Sequence, residues 1–466
     1  MKKYLITMIV TMLLVLSGCK KEIKDYEFTP YVTRGNKTLL LAEQLSFKTG
    51  ESEKSVNQIT INTKSKFQEI DGFGAAMSES SGYVISNLDE ATKDALMADL
   101  FSSEGIGMDF VRIPMGASDF ALDNYTYNDS DTADLTLSKF TLERDLAYVI
   151  PRLQEAVALN PDLKLMGSPW SAPAWMKNTN KLNGGYLLPT YYAAYADYFV
   201  KFIEGYQANG LDMYAITVQN EPLHETSSYP SMHMSVSEQI NFVSVLGPKF
   251  EDASIDTKII GYDHNWDNQF YPQALLDNEK TKDFIDGVAF HCYNGSVADQ
   301  KAFYDKNPDA NIYFTECTGI ATYRNFSDNM TWNMENIFIG AINAGAKTAL
   351  LWNLALDEAY GPQNGGCGNC VGVVTVEDNE YQLNEEYYAI GHFSKFLDKG
   401  ARRVEATTTN LNLLISAFIN PDGSVVSVIH NKSAYDQYVE LTVDGRMANY
   451  VIEAKSTVTL DGVQIG

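Results

Sequence analysis

The chain has 466 residues, of which 45% are hydrophobic and 20% charged, and its formal net charge is −25. That length asks for one large domain with a smaller partner, and the composition is globular. So acidic a chain lacks the basic footprint that nucleic acid or anionic lipid head groups demand, whereas a neutral polymer meets no such penalty.

In chain order, Met1-Lys2-Lys3 gives a positive start, and the apolar run 5–16 is too short to remain as a membrane span. It ends in Leu16-Ser17-Gly18-Cys19, which resembles a bacterial lipobox. Residues 1–18 therefore read as a lipoprotein signal peptide and Cys19 as the lipid-modified N-terminus. Residues 19–55, rich in Lys, Glu and Thr, read as a polar tether. The expected location is lipid-anchored to a bacterial membrane, at the cell surface or facing the periplasm, with the anchor as the sole membrane contact.

A strand is predicted within 56–66. Eight strand-like runs then follow at 69–74, 109–115, 163–169, 213–221, 258–264, 287–293, 311–317 and 349–355. Helical spacing separates them: Leu146, Val149, Ile150, Leu153, Ala156 and Val157 follow the i, i+3, i+4 rule, as do Tyr195, Tyr198, Phe199, Phe202 and Ile203. Asp89-Glu90 suits the first turn of a helix running to about Phe101, where acidic groups meet the positive dipole end. Eight βα units predict an α/β fold, a closed (β/α)8 TIM barrel, over 67–398. Beyond it the helical period is lost. Strand-like runs, two of them joined by the turn Asn420-Pro421-Asp422-Gly423, predict a β-sandwich over 399–466, completed by the 56–66 strand.

Two runs end on a glutamate: Ile216 to Glu221 and Ile312 to Glu316. A carboxylate closing a buried strand is costly unless paired or used. By the strand count Glu221 ends the fourth barrel strand and Glu316 the seventh, so both face the C-terminal mouth where barrel active sites are built. Two carboxylates at one mouth are what a glycosidase needs, one to protonate the leaving oxygen and one to attack or activate water. Arg112, Asp119, Trp170, Trp175, His264, Trp266, His291, Tyr293 and Trp352 fall at neighbouring strand ends, and flat rings beside carboxylates suit a sugar. Cys367 and Cys370 could close a tight loop disulfide in an exported protein. Cys292 and Cys317 read as core thiols. No histidine or cysteine spacing asks for a metal or a cofactor.

These motifs resemble glycoside hydrolase family 30, the family of lysosomal glucosylceramidase and microbial endo-β-1,6-glucanases. The matching stretches are Asp71-Gly72-Phe73-Gly74-Ala75-Ala76-Met77, Val111-Arg112-Ile113-Pro114-Met115, Ser168-Pro169-Trp170, Asn220-Glu221-Pro222, Thr315-Glu316, Trp352-Asn353-Leu354-Ala355-Leu356 and Gly391-His392-Phe393-Ser394-Lys395-Phe396. The resemblance implies a (β/α)8 barrel with a side β-sandwich and a retaining mechanism. In it Glu221 is the acid/base and Glu316 the nucleophile, with their carboxyl groups about 5–5.5 Å apart. It also implies that Asn220 binds the sugar 2-hydroxyl and that Tyr293 donates to Glu316. Asp119, Trp170, His291 and Trp352 complete the substrate-binding set, and Arg112 supports the nucleophile. Glu221 should then have a raised pKa and Glu316 a low one. Cys292 stands where the glucosylceramidase pattern carries a tryptophan. The insertion 361–372 resembles microbial members and should rim the mouth.

A tethered enzyme suits a polymer outside the cell, so the expected partner is β-glucan, cut internally at β-1,6 linkages by a monomer. The alternatives are an exo-acting β-glucosidase or glucosylceramidase and, from another class, a non-catalytic glycan-binding lipoprotein. Loss of a carboxylate would mark that last reading, and both are present.

Overall fold

A computed structural model describes residues 24–322 and 324–465 of the chain; the proposed lipidation site Cys19 lies outside them. Eight parallel strands pair in sequence order: Gly72–Ala76, Phe110–Pro114, Lys164–Ser168, Met213–Thr217, Lys258–Asn265, Ile285–His291, Ile312–Glu316 and Ala346–Asn353. The eighth returns to the first, with Leu350 opposite Gly74, and closes the predicted barrel. Its interior holds one buried side chain from each strand after the first: Phe110, Met166, Ala215, Ile260, Ala289, Tyr313 and Leu350. Such a filled interior makes the barrel a packed core with chemistry only at its ends.

Local rules explain the surrounding helices. Asp89 caps the helix Glu90–Phe101 by accepting from the Thr92 amide, which satisfies one orphan donor of the first turn. The expected helix through Leu146 is instead two, Glu143–Ala147 and Val149–Leu159, and Leu146 is exposed. Pro151 has no N–H for the Ala147 carbonyl, and its ring crowds the preceding turn.

Ten of the remaining strands form one sheet with its own apolar core, including Phe28, Ile59, Ile61, Val404, Ile429 and Leu460, and the other five form separate two- and three-stranded sheets. The Asn420–Gly423 turn joins Leu413–Ile419 to Val425–Asn431, with Gly423 at φ 91°. The strand expected within 56–66 runs longer, Asn57–Glu69, and leads directly into the barrel.

The tether reading of 19–55 is corrected. Asp25–Arg34 is a ten-residue strand whose residues alternate between buried and half-buried along most of its length, and it pairs with Ser456–Ile465 over all ten positions. Tyr26, Phe28 and Val32 carry the period-two apolar signal that holds it on the sandwich core. Among the described residues no helix is long and apolar enough to cross a membrane.

Candidate active site

Strand alternation sets the floor of the mouth. Two positions beyond the interior layer, the next inward side chains are Arg112, Ser168, Thr217, His291, Thr315 and Trp352. The fifth strand breaks this phase. Tyr262 and Asp263 have left-handed backbones, φ 69° and 63°, and the pairing with the sixth strand slips at Ala289/Phe290. Such an irregularity re-aims a side chain, and here it turns Asp263, fully buried, into the mouth.

Asp263 is the hub of the site. Its Oδ2 accepts from Arg112 Nη2 at 2.8 Å and Thr217 Oγ1 at 2.7 Å. Its Oδ1 accepts from Thr315 Oγ1 at 2.6 Å and faces His291 Nε2 at 2.9 Å. Arg112 then reaches both functional loops, donating to Glu316 Oε2 at 2.5 Å and to Asn220 Oδ1 at 2.7 Å. The latter bond leaves the Asn220 Nδ2 hydrogens as the pair a ligand would take. Tyr293 donates to Glu316 Oε1 at 2.8 Å. His291 Nδ1 lies 3.0 Å from Glu221 Oε1.

The two glutamates thus meet across one mouth, an oxygen of Glu221 and an oxygen of Glu316 within 4.8 Å of each other. Glu221 adopts φ 44°, and its amide donates to the Asp263 carbonyl, tying the fourth strand end to the bulged fifth. Trp170 and Trp352 stack at 4.9 Å between centroids, with the Arg112 guanidinium 5.0 Å from the Trp170 ring. Buried Trp352 Nε1 has no protein acceptor, nor has His264 Nδ1 a partner, among the described residues. Asp119 stands close enough to both glutamates that their charges, after burial, push its carboxyl well above the usual range.

The protonation order differs from expectation. Burial pushes Glu221 up, but the His291 hydrogen bond and charge outweigh it and hold Glu221 below its ordinary value. Burial lifts Glu316 above its ordinary value against the opposing charges of His291 and Arg112. The cause is the imidazole. Burial disfavours its charge, yet Glu316 and Asp263 raise His291 to about 9. At neutral pH it is therefore an imidazolium, donating to Asp263 and to Glu221.

Other expectations shift too. Trp175 is buried with Nε1 on Asn128, and Trp266 packs on Phe314 with Nε1 on Gln300, so neither ring lines the mouth. Cys292 and Cys317 are not free thiols but a disulfide, and Cys367 is bridged to Cys370. The insertion 361–372 does reach the mouth: Gly366 lies against Asp119, and Cys367 packs on the Trp170/Trp352 cluster. Sequence reasoning missed Asp263, Thr217, Thr315 and Ser168, and also Tyr229, which lies near both glutamates with its hydroxyl 2.9 Å from His224 Nε2.

Residues 70–397 match the model of the glycosyl hydrolase family 30 TIM-barrel domain, and residues 400–460 that of the family's beta sandwich domain. The chain is 34% identical over 400 residues to endo-1,6-beta-D-glucanase BGN16.3 of Trichoderma harzianum, covering 80% of each. It is 29% identical over 413 residues to lysosomal acid glucosylceramidase of Mus musculus, covering 83% of this chain and 79% of that one. The solved structure of the endo-beta1,6-glucanase BT3312 superposes with a TM-score of 0.87 at 32% identity, over 93% of this chain and 99% of that one.

Proposed function

The chain belongs to glycosyl hydrolase family 30, and from that premise we propose that this glycoside hydrolase cuts β-1,6-glucan internally with retention of configuration. The observation that carries the mechanism is the approach of the Glu221 and Glu316 oxygens to within 4.8 Å. An inverting pair needs about 6.5–9.5 Å to seat a water between the carboxyl groups, whereas direct attack needs about 5–5.5 Å.

A Glu316 oxygen attacks the anomeric carbon as the glycosidic C–O bond breaks, and the leaving oxygen takes a proton from Glu221. Water, deprotonated by Glu221, then displaces Glu316 from the covalent glycosyl-enzyme. In the resting site that proton rests on His291 Nδ1, 3.0 Å from Glu221 Oε1. The Glu316 charge is the largest influence keeping His291 protonated. As Glu316 gives up that charge to the new bond, the imidazolium becomes the stronger acid, and its proton passes through Glu221 to the leaving oxygen.

Two findings support a polymer substrate: the endo-1,6-beta-D-glucanase relatives, and an open cleft of about 890 Å³ lined by Asn124, Lys181, Asn183, Glu225 and Thr226 among others. Those residues sit on loops after the second, third and fourth barrel strands, on the mouth's own side. The test is product analysis on linear β-1,6-glucan, its disaccharide and an aryl β-glucoside. A ladder of oligosaccharides from the polymer is expected, and glucose alone from every substrate overturns the endo reading in favour of exo action. Glu316→Ala should lose orders of magnitude in turnover, and added azide should yield the glycosyl azide of inverted anomer. Wild-type activity in that variant would remove the nucleophile assignment.

The same proposal includes a lipid anchor at Cys19, supported by the Leu16–Cys19 motif. Mass analysis of the mature N-terminal peptide should find a diacylglyceryl-modified Cys19; an unmodified N-terminus overturns it.

A further inference from the structure

The pairing of the sixth and seventh barrel strands ends with His291 opposite Glu316. The next residue on each chain is a cysteine, and the two are bonded, with their Cα atoms 5.5 Å apart. The bridge therefore continues the register by one covalent pair where the backbone ladder stops. Its placement is what gives it meaning. Cys317 directly follows the nucleophile and Cys292 directly precedes Tyr293, whose hydroxyl donates to that nucleophile at 2.8 Å. Tyr293, Cys292, Cys317 and Glu316 form one short covalent path, closed into a ring by the Tyr293–Glu316 hydrogen bond.

Tyr293 needs such a hold. It is 44% exposed at the rim, and the chain turns away immediately after it through Gly295 at φ 80°. Apart from the bridge, its backbone is held among the described residues by the bond from its amide to Asn265 Oδ1 at 3.0 Å. Cys317, fully buried, also accepts from the Trp352 amide at 2.8 Å, so the bridge joins three consecutive strand ends around the nucleophile.

We infer that the Cys292–Cys317 disulfide is a positioning device of the active site, holding the Tyr293 hydroxyl on Glu316, and that its loss impairs catalysis in the folded protein. The inference rests on Glu316 acting as the nucleophile. A hydroxyl donating to a carboxylate favours its ionised form. Losing that donor raises the nucleophile's pKa and moves the acid limb of activity to higher pH.

The experiment compares wild type, C292A/C317A, Y293F and the triple variant on an aryl β-glucoside, reading kcat, KM, the pH profile of kcat/KM and thermal unfolding. A hydrogen bond to a charged group predicts about a tenfold or greater fall in kcat. The acid limb should shift upward with KM little changed, and the triple variant should match Y293F, since both changes remove one interaction. A lower melting temperature with an unmoved acid limb overturns the inference, as does a triple variant whose losses multiply.

Should C292A/C317A not fold, the native C367A/C370A protein is reduced with a trialkylphosphine. Phosphine and water convert the disulfide to two thiols and phosphine oxide, followed by mass as the disulfide-linked peptide giving way to its two free-thiol peptides, two hydrogen atoms heavier in sum. The same shift, reversed on reoxidation, is expected, and an unchanged profile after complete reduction overturns the inference. These readouts are ratios to wild type on any β-glycoside turned over, so loss of the β-1,6-glucan reading leaves them intact. A glucan ladder with an unmoved acid limb defeats this inference alone.

Discussion

Asp263 shows how much of the site hangs on one residue that would touch no sugar. Burial raises its carboxyl, but the Arg112 and His291 charges and the Thr315 hydroxyl hold it far below the usual range, so it stays ionised at every working pH. Its charge helps keep His291 protonated to about 9. Above that pH the His291–Glu221 pair has lost the proton the leaving oxygen needs, and activity should fall. Asp263→Asn removes the charge, so His291 loses its proton at lower pH, and the basic limb of kcat/KM should move down the pH scale together with a reduced kcat. A pH–rate profile checks this, and an unmoved basic limb would contradict it. Glu221 and Glu316 were legible in sequence because each ends an apolar run. Asp263 was not, because period-two counting from Ile260 selects Tyr262 and His264, and the left-handed pair at 262–263 that shifts the phase carries no glycine to announce it.

At the scale of elements, the eight barrel strands were readable because each is a short apolar run isolated by a helix. The strand Asp25–Arg34 was not, because its polar edge hid the alternation and its partner Ser456–Ile465 lies at the other end of the chain. Deleting residues 24–55 as if they were a linker should therefore remove a structural strand. Burial of Tyr26, Phe28 and Val32 is worth about 1.5–3 kcal/mol each, so the truncated protein should melt well below the full chain and its sandwich should become protease-sensitive. Gly74→Ala tests the barrel side: an added Cβ would lie 1.8 Å from the Phe110 carbonyl oxygen, inside the ladder between the first two strands. A loss of at least 1–3 kcal/mol is expected, read from the denaturant midpoint.

At the scale of the whole molecule, two buried histidines fasten barrel to sandwich. His392, on the barrel helix Glu385–Ser394, bonds the hydroxyls of Thr33 and Thr459 at 2.8 Å each. His430, on the sandwich, bonds Thr457 at 2.9 Å and barrel residue Thr331 at 3.0 Å. Burial pushes both rings down to about 3. The folded state thus resists a proton that the unfolded chain accepts near pH 6.5. The stability they contribute is complete above about pH 6.5 and declines as pH falls towards 3, at roughly 1.4 kcal/mol per pH unit for each ring. Unfolding free energies measured from pH 7 to 4 should show that slope, and His430→Gln should remove about half of it, leaving the His392 share. The resemblance in sequence implied two domains side by side, but it could not reveal this fastening, since histidines in apolar runs give no hint of their partners. The ladder between Asp25–Arg34 and Ser456–Ile465 has one more consequence: Asp25 faces Ile465, so both ends of the described chain leave from the same corner of the sandwich. Grafted to a bead, a fusion partner or a lipid by either end, the molecule is held by its sandwich, and the barrel remains the free body that meets the substrate.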